Sequence, residues 1–100
     1  MKVFISQPMV GKTYEQLVSE RNAIKDKIRE EFGDNVEFIE SLVLSGEKTP
    51  LKSLAKSLSL LADADRAVFV GNWNESRGCY VEYMCCGFYG VPILKCYTEG

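Results

Sequence analysis

Apolar positions along this chain switch repeatedly between short continuous runs and a spacing near 3.6. Residues 2–6, KVFIS, are a short run rich in β-branched and aromatic side chains, which predicts a strand. Residues 7–12, QPMVGK, form the loop after it, and Thr13 with Gln16 at capping-box spacing opens a helix. Tyr14, Leu17, Ile24, Ile28 and Phe32 keep helical spacing, Glu15, Glu20, Lys25, Lys27 and Glu30 supply a charged outer face, and Gly33 closes the helix. Residues 36–39 read as a second strand. A polar loop follows at 41–48, still holding Leu42, Val43 and Leu44. Thr49 and Pro50 stand as N-cap and first residue of an amphipathic helix carried by Leu51, Leu54, Ala55, Leu58, Leu61 and Ala62. Residues 66–70, RAVFV, are continuously apolar after Arg66, as a strand covered on both faces must be, and Gly71 ends them. A loop at 72–75 leads into a third helix, and residues 91–97 form a fourth strand introduced by Gly90 and Pro92.

Strand and helix alternate throughout, so the chain is expected to be α/β. Right-handed crossovers give a small Rossmann- or flavodoxin-like three-layer sandwich, with four to five parallel strands in the order 2-1-3-4 and helices on both faces. At 100 residues, positions 1–100 make one domain with no internal linker. Ligands of such sheets bind at the carboxyl ends of the strands, where the order reverses between the first and third. Residues 6–12 and 71–76 meet there.

Hydrophobic residues at 46%, charged residues at 26% and a net charge of -2 are ordinary for a soluble protein, and without a basic stripe no nucleic-acid partner is expected. No apolar run reaches membrane-spanning length and the start turns polar too early for a signal peptide, so a cytoplasmic location is expected, with no membrane partner. Cys79, Cys85, Cys86 and Cys96 lack zinc-ligand spacing and read as reduced, buried small hydrophobes. There is no histidine, so any acid, base or nucleophile must be a carboxylate, hydroxyl, thiol, Lys or Tyr.

Against that background one residue stands out. Between positions 79 and 91 the only formal charge is Glu82, and whatever this helix packs against takes a carboxylate with it. A buried, unpaired carboxylate is costly, so it is paired, neutralised or used. A carboxylate on a helix can also simply face solvent or meet an Arg. Two nearby signals are weaker. Residues 6–13, SQPMVGKT, approach a P-loop, but Ser6 stands where its first Gly is required and Pro8 lacks an N–H, leaving Lys12 as a solvated residue near the helix start. Ser76 stands at an N-cap, with Arg77 and Gly78 behind it, where free N–H groups favour an anion and Gly78 suggests a close approach.

ISQP at residues 5–8, ADADRAVFV at 62–70 and WNESRGCYVEYMCCGFYGVPI at 73–93 resemble the nucleoside 2-deoxyribosyltransferase family and its small relatives. The resemblance implies an enzyme that cleaves the N-glycosidic bond of a (deoxy)nucleoside or its 5'-monophosphate. Glu82 falls on the family's nucleophile and Ser76 on the position that meets a 5'-phosphate. Substrate is then expected against Ser6, Gln7, Pro8, Gly71, Trp73, Ser76, Arg77 and Gly78, with Trp73 stacking on the base. Where the transferases carry an acid that protonates the departing base, this chain has Ser57, so Asp65 or Asp63, a tyrosine or water takes that part. The resemblance calls for no metal and no cofactor, and implies a homodimer or larger homo-oligomer, to which the apolar last helix with Tyr80, Tyr83, Met84, Phe88 and Tyr89 is suited. Ser57 also leaves open a module on the same scaffold that binds a nucleotide without cutting it.

Overall fold

In the computed structural model, which describes residues 1–41 and 49–97, strand β1 (Lys2–Ser6) lies inside a sheet of four parallel strands. Its neighbours are β2 (Glu37–Phe38) and β3 (Arg66–Val70), with β4 (Ile93–Tyr97) beyond β3, in the order β2-β1-β3-β4. Alternation along each strand sends successive side chains to opposite faces. Val3, Ile5, Val68 and Val70 pack with Ile24 and Ile28 of α1 (Tyr14–Phe32). Phe4, Ala67 and Phe69 pack instead with Leu58 and Leu61 of α2 (Pro50–Leu61) and with Tyr83 and Cys86 of α3 (Arg77–Tyr89). The result is the expected α/β sandwich of helix, parallel sheet and helix pair.

Local chemistry sets the helix ends where the sequence places them. Thr13 and Gln16 make both bonds of the capping box, and Thr49 accepts the Lys52 amide with Pro50 at the first turn. Gly33 leaves α1 at φ 95° and Gly90 leaves α3 at φ 74°, conformations that side chains with a Cβ rarely adopt.

Three elements differ from expectation. β2 has two residues rather than four, because it pairs only with β1, and Val36 turns into the core while Ile39 keeps one bond to the Val3 carbonyl at 2.9 Å. β4 starts at Ile93 rather than 91, since the Val91 amide bonds back to Cys86 and Pro92 has no N–H to give the ladder. The loop after β3 contains a short 3₁₀ turn, Trp73–Glu75. Tyr14 and Phe32, expected in the inner stripe of α1, are exposed, and that stripe is Leu17, Arg21 and Ile28 with Ile24 half-buried. The loop expected over 41–48 lies, after Ser41, outside the described residues. Among the described residues no helix is long and apolar enough to cross a membrane.

Candidate active site

The inward stripe of α3 is Cys79, Glu82 and Cys86, spaced three and four apart, so the helix does carry its carboxylate into the protein. Glu82 is 6% exposed and Ser6 is 1% exposed. Ser6, the last residue of β1, donates from Oγ to Glu82 Oε1 at 2.8 Å. Because Ser6 lies level with Phe69 in β3, the carboxylate sits over the carboxyl ends of these two strands, at the point where the strand order reverses. Burial pushes the Glu82 carboxyl up to about 7, against the pull of the Ser6 hydroxyl and of the Arg21 charge. Among the described residues the bond from Ser6 is the one it accepts.

The residues around α3's first turn are arranged for access. Ser76 occupies the N-cap position, but its side chain makes no capping bond to the helix. Its hydroxyl lies by the Cys79 thiol, which burial pushes up against the pull of the Ser6 and Ser76 hydroxyls. Arg77 is exposed at the first helical position. A Cβ added at Gly78 would meet nothing within 4 Å, so the chain's own backbone makes no close approach there and the space beside it is open. Gly71 turns the chain at φ 61° and ties its amide to the Tyr97 carbonyl. The Trp73 ring lies 4.5 Å from that of Tyr83 and 5.4 Å from that of Phe69, so the indole, expected to stack on a base, already stacks within the protein.

Two expected site residues are used otherwise. Gln7 is buried beside Pro8 with its amide engaged: Nε2 donates to the Leu17 carbonyl and to Glu20, and Oε1 accepts from Arg21. It shapes the loop rather than offering a free edge to a ligand. Asp65 is not brought to Glu82 at all. Its Oδ2 accepts the Lys2 amide at 2.8 Å, at the amino end of β1, a strand length or about 13 Å from Ser6. Asp63 is exposed in the turn after α2 and Ser57 is half-buried on it.

What the pattern missed is on the other side of β1. Arg21, 5% exposed, donates from Nε to Gln7 Oε1, from Nη1 to Ser41 Oγ and from Nη2 to the Ile5 carbonyl, at 3.0 to 3.2 Å. Glu20 joins this network to the surface through Lys12 at 2.9 Å. The available signal was an arginine at i+4 from Leu17 and i+3 before Ile24, inside an apolar stripe. Two open grooves flank α1, one of about 520 Å³ beside Lys12 and Glu20 and one of about 330 Å³ that Arg21 lines with Tyr14 and Glu40. Glu82 lines neither, and its burial and chemistry, not groove size, mark the site. No group of three or more Cys, Asp or Glu among the described residues is placed to hold a metal ion. Comparison of the chain with protein-family models, with curated proteins and with solved structures found no match.

Proposed function

We propose that the protein cleaves the N-glycosidic bond of a (deoxy)nucleoside or its 5'-monophosphate, with Glu82 as nucleophile. The observation that carries this is a buried carboxylate, alone of its kind among the described residues and held by Ser6, at the carboxyl edge of a parallel sheet. Ser6 holds Oε1 and leaves Oε2 to attack the anomeric carbon. The C–N bond breaks, its electron pair leaves with the base, and the base takes a proton from water, since Asp65 is at the other end of the strand. Water or a second base then attacks the same carbon, and the ester bond to Glu82 breaks to return the carboxylate. The open space at Gly78, beside Ser76 at the N-cap position, is where a 5'-phosphate fits.

The test is base release, followed by chromatography, from deoxynucleosides and their 5'-monophosphates, with and without acceptor base. Release that stops in Glu82→Gln, and rises with pH through about 7 as the carboxyl ionises, supports a nucleophile. Release that falls above that pH assigns Glu82 as an acid instead. Silence across the panel, with ligand still bound, leaves the non-catalytic nucleotide-binding module, which the distance of Asp65 and the presence of Ser57 favour. The outer stripe of α3, with Tyr80, Met84 and Phe88 exposed, suits a homodimer, and free thiols at all four cysteines suit the cytoplasm.

A further inference from the structure

We propose that Arg21 is a positioning residue for Glu82, acting through Ser6. This rests on the proposal above only in taking Glu82 as the working group. The three acceptors of the guanidinium come from three segments: the Ile5 carbonyl in β1, the Gln7 side chain in the following loop and the Ser41 hydroxyl beyond β2. Ile5 and Gln7 are the two residues on either side of Ser6. One rigid, planar cation therefore holds the backbone before the hydroxyl and the side chain after it, and Ser41 adds its own bond to the Ile5 carbonyl at 3.3 Å. Arg21 belongs to α1 and Glu82 to α3, which cover opposite faces of the sheet, and the last residues of β1 lie between them: Arg21 bonds the Ile5 carbonyl and Glu82 the Ser6 hydroxyl.

A buried arginine that served only the core would be served as well by an apolar residue in the stripe of Leu17 and Ile28. This one instead brackets the single donor to the carboxylate. The groups facing Glu82 are Ser6 from β1, Arg21 from α1 and the Cys79 and Cys86 thiols from its own helix, and Arg21 also faces Glu40. Arg21 is the one cation among them and opposes the desolvation of the carboxylate.

The experiment is a double-mutant cycle on the titration of Glu82, followed by carbon NMR of its side-chain carboxyl without substrate. Ser6→Ala raises the midpoint by removing the hydrogen bond to the ionised form. Arg21→Gln raises it by about one pH unit, the scale expected of losing a neighbouring opposite charge. In the Arg21→Gln protein the added Ser6→Ala has little further effect, because the hydroxyl is no longer held. Arg21→Lys keeps a charge but cannot bridge three acceptors, and also suppresses the Ser6→Ala shift. Shifts that simply add, or a midpoint unmoved in folded Arg21→Gln, overturn the proposal, and so does failure of both Arg21 variants to fold, which makes Arg21 a residue of the core alone. Non-additive shifts in a protein that releases no base keep the positioning and sink only the glycosidic chemistry. Base release with additive shifts does the reverse.

Discussion

The two ends of β1 each meet a carboxylate from a distant part of the chain, and the two are treated in opposite ways. At the amino end Asp65 is exposed, accepts the Lys2 amide and returns its own amide to the Lys2 carbonyl, so it works as a clamp that fixes the start of β3 against β1. At the carboxyl end Glu82 is buried, is met by a hydroxyl instead of an amide, and is pushed up to about 7. The side chains are nearly the same. Solvent makes the difference: a carboxylate that water can stabilise holds structure, while one that is desolvated and only partly compensated is poised for chemistry.

That contrast is sharpest in turnover. Glu82→Gln preserves the acceptor for Ser6 and lowers base release by about a thousandfold or more, as loss of a nucleophile does, while Asp65→Asn changes it by less than a factor of a few in the same assay. Stability reverses the ranking. A carboxyl raised from 4.5 to about 7 on folding binds its proton more tightly in the native state, so its stabilising contribution is complete below pH 4.5 and is lost as pH rises through 7. Glu82→Gln escapes that loss and is more stable than the parent by up to about 3 kcal/mol at pH 8, since each tenfold gain in proton affinity on folding is worth about 1.4 kcal/mol. In urea unfolding that advantage vanishes by pH 4.5. Asp65→Ala, by contrast, costs about 1 kcal/mol for its hydrogen bond to the Lys2 amide and leaves turnover unchanged. The smallest effect separates fold from ligand: Gly78→Ala enters open space, gains a few tenths of a kcal/mol to about 1 kcal/mol in helix propensity, and, on the proposed placement of the 5'-phosphate, raises KM severalfold. A Gly78→Ala protein with unchanged KM places the substrate elsewhere.

The difference between the two ends was half legible in the sequence. Continuous apolar runs, caps and Gly/Pro punctuation are local signals, and they located β1, β3 and all three helices. Glu82 was legible because a lone charge in an apolar helix has to be explained. Asp65 is one of several groups that the resemblance leaves to replace the acid absent at Ser57, and its position just before a strand ties it to the amino edge of a parallel sheet, away from the ligand edge. Gln7 faces the right end, but nothing local shows that its amide is fully engaged by Leu17, Glu20 and Arg21. Arg21 stayed hidden because counting apolar positions passes over a charged residue within the stripe, and its acceptors lie up to 20 residues away in sequence. β2 is shorter than the span 36–39 because its chain pairs with β1 only at Lys2 and Val3, while β1 itself runs on to Ser6 beside β3.

The ring cluster behind the site gives the molecule an optical handle. Trp73 is the only tryptophan in the chain, and its ring lies against Tyr83, the residue after Glu82. Light absorbed by the indole alone is therefore emitted from one place, beside the residue that follows Glu82. Tryptophan fluorescence of the unmodified protein follows the packing of this ring cluster, and no label has to be introduced into a chain that already carries four free thiols.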